Sequence, residues 1–418
     1  MAISGSDWGR LKGGNVAALA HWGNVGPAVS GASVAPSAPG PEGGREPGLL
    51  APERSAGRLH PVARTAVWVA LALVAGGGVA GGARAQQTGA TSVRGVVRSG
   101  GEPVPYAVVS LVPGHAQRFT DDSGAFVFTG VAPGTYRLMV RQIGFGPRDT
   151  MVTKVESTPL AVAVTLERLA IQLAEITVTA PARCTAPGPP DTAGSGDLAA
   201  VFDQLRQNAE RYALLADSYP FRYRLARTFT DYDQADRVLW TASDTVEYQS
   251  NARSRYRPGD VVGWGPGPAR SAARVLKLPS LSDLADSSFQ AGHCFAYGGT
   301  TERDGERLVR FGFRVAESLR TPDIEGEVEL DAGTYRIRHA TIRLTRAGRA
   351  LPGLLAATDT ITFTELVPNI VLPSRVRGTL VPAVQSGVRR QVARSTEEQQ
   401  LIGVRFLRPL PGMPGPGP

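Results

Sequence analysis

Lysine is almost missing from this chain: three residues against 42 arginines in 418 positions. The arginines sit among acids, as in Arg303-Asp304-Gly305-Glu306-Arg307, so the formal charge of +8 gathers into no stripe and a nucleic-acid partner is not expected. Histidine is scarce, five in all, and none is followed three residues on by glutamate. A zinc carboxypeptidase needs that spacing plus a later histidine, because the metal requires three fixed donors and one open position. Gly-x-Ser-x-Gly, Walker and dinucleotide patterns do not occur, which removes support for elbow hydrolases and phosphate-cradling loops. The expectation leans away from an enzyme: no catalytic, metal or cofactor-binding residue is assigned, and no cofactor is called for. One route to an envelope hydrolase stays open, through Asp121 with Asp122 or through Asp323, Glu325, Glu327 and Glu329. It requires two or more such carboxylates, His293 and Tyr297 to meet in one pocket.

Long uncharged runs are equally few. One follows Arg64, nineteen residues at 65–83 rich in Ala, Val and Leu, and Ala83-Arg84-Ala85 then offers small residues at both positions that a signal peptidase reads. Residues 64–85 read as a signal peptide cut near Ala85. The alternative is an inner-membrane signal anchor, since nineteen residues can just span a bilayer, although five glycines between 76 and 82 weaken it. Residues 1–63, dominated by Gly, Ala, Pro and Ser without apolar period, are expected to be disordered and to follow a misassigned start. Residues 86–92 are a short lead-in. The mature chain is then periplasmic, outer-membrane-associated or secreted, with no transmembrane segment of its own. Export gives the only two cysteines a meaning: Cys184 and Cys294 would pair in an oxidising compartment, closing a loop of about 110 residues worth roughly 4 to 5 kcal/mol.

Turn chemistry, by contrast, is plentiful. Between 93 and 169, seven short strands are separated by Gly, Pro and Asp turns, the pattern of a β-sandwich. Asp121-Asp122-Ser123-Gly124 supplies a tight turn, Phe126 and Phe128 share one face of the next strand, and Pro133-Gly134 leads into the alternating strand of Tyr136 and Leu138. Behind a linker the pattern changes. Leu198, Phe202, Leu205, Ala209 and Tyr212 recur at spacings of three and four, a helix over 197–216 capped by Asp197 with this stripe facing a core. Period two then takes over: Phe221, Tyr223 and Leu225; Val238 and Trp240; Val309, Phe311, Phe313 and Val315; and a hairpin over Asp331-Ala332-Gly333. Arginine at alternate positions, as at Arg336 and Arg338, marks a solvated sheet face. Ser280-Leu281-Ser282-Asp283 has the form of a capping box opening a short helix toward Phe289. The fold class is mainly β: a seven-stranded sandwich at 93–169, then an α+β domain with a large antiparallel sheet at 197–407, and a disordered tail at 408–418.

Gly95-x-Val97, Pro103-Val104-Pro105-Tyr106-Ala107, Thr120-Asp121-x-x-Gly124-x-Phe126, Val131-x-Pro133-Gly134-x-Tyr136-x-Leu138 and Gly144-Phe145 occur in order. This series resembles the carboxypeptidase regulatory-like domain, a prealbumin-like or carbohydrate-binding-like sandwich, with Asp121, Gly124, Pro133, Gly134, Tyr136 and Gly144 as its defining turn positions. The resemblance implies a module and no peptidase. Residues 173–180 are similar to the segment that joins such a module to the plug of TonB-dependent receptors, but the roughly 240 residues beyond are too few for a 22-stranded barrel. They read as one more strand ahead of the Pro/Gly linker, within 170–196. The C-terminal order of helix, paired strands, His293-Cys294-Phe295 and hairpin resembles a poorly characterised region behind such modules in bacterial exported proteins. More weakly it resembles the half-barrel of periplasmic lipoprotein carriers, which predicts a concave apolar cavity lined by Phe311 and Phe313. The expected function is non-catalytic binding or assembly in the bacterial envelope, with a glycan, a lipid or an outer-membrane protein as partner. The alternatives are the lipid or lipoprotein carrier and the hydrolase above.

Overall fold

A computed structural model describes residues 16–21, 92–155, 158–169, 183–190, 196–251, 256–266, 272–277, 281–383 and 391–412. The expected signal peptide, the strand at 173–180 and most of the first 91 residues lie outside them. One strand, β1 (Val16–His21), belongs to the segment for which no structure was expected, and it runs parallel to a later strand described below.

The sandwich is built from β2 (Ser92–Ser99), β3 (Glu102–Pro103), β4 (Val108–Val112), β5 (Arg118–Phe119), β6 (Ala125–Thr129), β7 (Gly134–Arg141), β8 (Arg148–Lys154) and β9 (Leu160–Thr165). Two of these are two-residue strands, so the seven expected become eight. One sheet has the order β3-β2-β6 with β9 parallel to β2, and the other β5-β4-β7-β8. Their inward side chains form one core, including Val93, Val109, Leu111, Phe126, Phe128, Leu138 and Val140. The turn before β6 is held by Asp121, whose Oδ1 accepts from the Ser123 amide and hydroxyl and from the Ala125 amide. Gly124 completes it at φ +75°, with Val97 O so close that a Cβ would clash.

The second part begins with α1 (Gly196–Ser218), followed by β10 (Phe221–Tyr232) and β11 (Val238–Gln249). A detour carries β12 (Val262–Pro266), β13 (Ala272–Lys277), a 3-10 turn (Leu281–Ala285) and α2 (Ser287–Ala291). The strand that β1 joins is β13. The cap of α2 is Asp286, which accepts from the Ser288 amide, so the helix starts later than the Ser280 pattern suggested. Then come β14 (His293–Arg303), β15 (Glu306–Val315), β16 (Ile324–Asp331), β17 (Ile337–Leu344), the single turn α3 (Ala347–Ala350), β18 (Leu354–Val367), β19 (Ile370–Pro382) and β20 (Arg394–Phe406).

Nine strands form one antiparallel sheet of order β11-β10-β20-β19-β18-β17-β16-β15-β14. The strands β14 to β19 meander, and β20 returns to lie between β19 and β10, joining the meander to the β10–β11 hairpin. Alternation decides the faces: Phe221, Tyr223 and Leu225 point inward from β10, while Arg222 and Arg224 point out. The inner face packs on α1, where Phe202 meets Phe295 at 4.7 Å and Phe311 at 5.8 Å between ring centroids. Phe311 and Phe313 are buried by these contacts and by Phe289. The cavity expected there is filled.

The helix is buried on a second side that its apolar stripe does not announce. Gln204 Oε1 accepts from the Gly144 amide at 2.7 Å, Asn208 bonds Tyr335 O and the Ile337 amide, and Arg211 donates to Tyr106 O and Gln142 Oε1. Asn369 Nδ2 adds a bond to Pro105 O, and Phe119 stacks on Tyr219. Gly144, at φ +82°, brings its Cα against Thr334 O, where a Cβ would sit at 3.0 Å. The sandwich and the large sheet are therefore joined through α1. The residues after β20 also return: Leu410 is buried in the main core and Gly412 approaches Asp122, which corrects the expectation of a disordered tail from 408 as far as the described residues go.

Candidate functional site

The sheet opens between β19 and β20. Their ladder runs from Leu380 opposite Ser395 to Arg375 opposite Gln400 and stops. Below that level β19 stays paired only with β18, and β20 only with β10. Two irregularities coincide at the split. In β19, Arg375 faces Thr362 and Pro373 faces Phe363, so Ser374 is an extra residue; in β20, Leu401 faces Leu225 and Gly403 faces Arg224, so Ile402 bulges. A bulge bends its strand, and Pro373 has no N–H to offer across the gap.

Behind the split lies a pocket of about 20 Å³ lined by Tyr212, Phe221, Tyr223, Leu225, Leu372 and Leu401 among others. Outside it lies a groove of about 470 Å³ against β18, lined by Thr362, Thr364, Glu365 and Leu366. Leu372, Ser374, Arg375 and Leu401 line both, so only these side chains of the split separate the groove from the inner pocket. Leu366 in the groove is 39% exposed, and Ile402 at the β20 bulge is 46% exposed. Burial pushes the Tyr223 phenol well above its ordinary pKa, with Tyr212 and Tyr248 adding to the shift, so it stays a neutral hydroxyl. At the mouth Arg375 Nε bonds Gln400 Oε1 at 3.1 Å, and Thr364 donates to Ser374 Oγ at 2.8 Å.

Farther along the same inner face the side chains become polar. Arg227, buried, donates through Nε and Nη2 to the two oxygens of Asp244 at 2.8 and 2.6 Å and approaches Glu397 at 3.8 Å. Gln399 Nε2 donates to Glu397 Oε1 at 2.9 Å, and Ser395 donates to Asp231. Asp359 is different. It is 0% exposed, neither oxygen has a hydrogen-bond partner among the described residues, and burial pushes its carboxyl up to about 8.

The sequence-selected residues fall elsewhere. Asp121, Gly124, Pro133, Gly134 and Tyr136 shape sandwich turns; Tyr136 donates to Ala132 O at 3.0 Å. Cys184 and Cys294 are bonded to each other, with Cα atoms 5.4 Å apart. The bond pins residues 183–190 to the open edge of β14, where Gly188 donates to His293 O. His293, on the opposite face of that strand from Cys294, is fully buried with Nδ1 2.7 Å from Phe289 O and Nε2 2.9 Å from Ile324 O. Asp323 accepts from the Tyr256 hydroxyl at 2.6 Å in the interior. Glu325 and Glu329 lie on the outer face beside Arg343 and Arg303, and Glu327 lies between them on that face. The carboxylates, His293 and Tyr297 are thus split between two faces of the sheet and do not share a pocket. Among the described residues several outer arginines are matched by acids, Arg336 with Glu365, Arg338 with Glu306 and Arg377 with Glu398. No described helix is long and apolar enough to cross a membrane.

Sequence reasoning missed Glu397 and Gln399, because polar residues at inward positions break the alternation that reveals a strand; Asp359 falls on a strand the alternation does reveal, but an acidic residue there reads as outward-facing. Pro373 inside an alternating run was the one available sign of the split.

Among solved structures the chain is similar to a DUF1329 family protein from Desulfovibrio piger, at 12% identity and a TM-score of 0.29, covering 49% of this chain and 93% of that one. It is similar to a putative outer membrane lipoprotein-sorting protein domain from Vibrio parahaemolyticus, at 11% and 0.29, with 49% and 93% covered. A LolA superfamily protein from Nitrosomonas europaea gives 15% and 0.27, with 50% and 94% covered. No curated protein matches the chain. The family model of the carboxypeptidase regulatory-like domain matches residues 92–167, and that stretch of the chain is such a domain.

Proposed function

We propose that this chain is a non-catalytic binding protein of the bacterial envelope and that its ligand is lipid-like, taken up between β19 and β20. The observation that carries the reading is the split sheet, in which an outer groove with exposed Leu366 shares Leu372, Ser374, Arg375 and Leu401 with a small apolar pocket on the inner side. A flexible apolar chain would enter from the groove of about 470 Å³ and part the strands to reach the inner pocket, which holds about 20 Å³ in this structure and is lined by Leu and aromatic residues. The disulfide supports an oxidising compartment and hence export with loss of residues up to Ala85. A sugar ligand for the sandwich has less support, since Phe126, Phe128 and Tyr136 face its core and offer no stacking platform. The test is native mass spectrometry of residues 86–418 purified from envelope fractions without detergent. The expected result is a bound apolar adduct of several hundred daltons, released by organic extraction and rebound on return. Protein that is bare, and that takes up no lipid from a total envelope extract, contradicts the reading.

A further inference from the structure

The hairpin of β12 and β13 lies on the inner side of the large sheet, where Val275 of β13 is buried against the inward Phe229 of β10 and Leu276 joins the main core. On one side β13 pairs antiparallel with β12, from Ala272 opposite Pro266 to Leu276 opposite Val262. On the other side its partner is β1, which runs parallel to it with Val16 opposite Arg274, Ala18 opposite Val275 and His21 opposite Lys277. Cα atoms of β1 also come within 8 Å of β19 and of β20. The strand thus sits in a trough that has the backbone edge of β13 as one wall and the large sheet as its floor. Its sequence, Val16-Ala17-Ala18-Leu19-Ala20-His21, is half alanine and contains no Asp, Glu, Lys or Arg.

The expected signal peptide at 64–85 separates β1 from the rest of that sheet. A signal peptide keeps its N-terminal flank on the cytoplasmic side and is cut from the chain that crosses. Under the export reading, β1 is therefore missing from residues 86–418, whereas β13 stays in place through β12 and Val275. Among the described residues no other strand pairs with that edge of β13, so its N–H and C=O groups face the vacated trough. An acyl chain offers those groups no hydrogen bonds; an extended backbone does. We propose that in the exported protein the free edge of β13 takes up an extended, uncharged segment of another polypeptide, rich in small residues and added parallel at the seat of β1. The inference goes beyond lipid binding and rests only on export.

The probe is a synthetic peptide of residues 14–23, carrying a dye and added to the protein purified from envelope fractions. Fluorescence anisotropy reads binding, and amide exchange reads its place. The expected Kd is below about 100 μM. Within 274–277 the amides facing the trough should exchange rapidly in the free protein and at least about tenfold more slowly with the peptide. Every second amide of an added strand faces its partner. One peptide N-methylated at Ala17 and Leu19 and another at Ala18 and Ala20 should therefore differ, one losing at least about tenfold more affinity than the other. No binding at about 1 mM peptide, equal effects of the two methylation patterns, or slow exchange of all four amides before the peptide is added overturns the proposal. So does protection confined to another strand. Envelope protein that still begins ahead of residue 64 overturns the export reading and the vacancy with it, and N-terminal mass mapping separates that outcome from a strand that fails to pair.

Discussion

Asp359 sets the residue-scale expectation, and its sign can be worked out. An exposed aspartate has a pKa near 3.8, whereas this one is pushed up to about 8 by burial. Between those values the folded state holds a proton that the unfolded chain has released, so stability falls as pH rises, at up to about 1.4 kcal/mol per pH unit, and levels off above pH 8. Asp359→Asn removes that contribution. Urea midpoints of ligand-free protein at pH 5 and pH 8 should therefore differ more for the native chain than for the variant; equal differences would mean that the carboxyl is already satisfied. Cys184 and Cys294 give a second residue-scale expectation. Replacing both by serine should lower unfolding free energy by roughly 5 kcal/mol, the loop-entropy value for about 110 residues, and a reductant should have the same effect on the native protein. Loss of less than about 1 kcal/mol would show that the loop is already held by its other contacts to β14.

At the scale of elements, α1 and β20 show what could and could not be read beforehand. The stripe of Phe202, Leu205, Ala209 and Tyr212 faces the core as its spacing requires. The polar side of the same helix is buried too, because Gln204, Asn208 and Arg211 find partners in the sandwich and in the β16–β17 turn. Polar side chains at i, i+4 and i+7 look the same in sequence whether they meet water or another backbone. Burial pulls the Arg211 guanidinium down to about 9, with Arg336 adding to the effect, so the charge is held against its desolvation by its hydrogen bonds and by Glu365. Arg211→Ala should cost about 2 to 4 kcal/mol in chemical unfolding and loosen the sandwich, visible as faster amide exchange around Tyr106 and Gln142. A change below about 0.5 kcal/mol would place the joint elsewhere. The strand β20 was hidden for a related reason. Its upper half reads Thr396-Glu397-Glu398-Gln399-Gln400, polar at every position, because the inward Glu397 meets Gln399 and Arg227 rather than an apolar core.

The whole molecule is a carboxypeptidase regulatory-like sandwich fastened by α1, and by Asn369 and Thr334 directly, to a nine-stranded sheet that is packed tight at the β14–β17 side and parted at β19–β20. The tight side was legible, since Phe311 and Phe313 alternate cleanly on a strand. Their role was not: the rings fill space against Phe202 and Phe289 instead of lining a cavity. An opening depends on where two strands distant in sequence stop pairing, and that follows from the coincidence of Ser374 and Ile402 bulges on partners that only the folded register brings together. The most direct measurement is photocrosslinking with a lipid that carries a diazirine on its acyl chain, followed by peptide mapping on residues 86–418. The account predicts label on Leu372 and Leu401 at the split and on Tyr223 or Leu225 behind it, lost when unlabelled lipid competes. Label confined to the sandwich or to the outer arginine face, with none on β19 or β20, would contradict it.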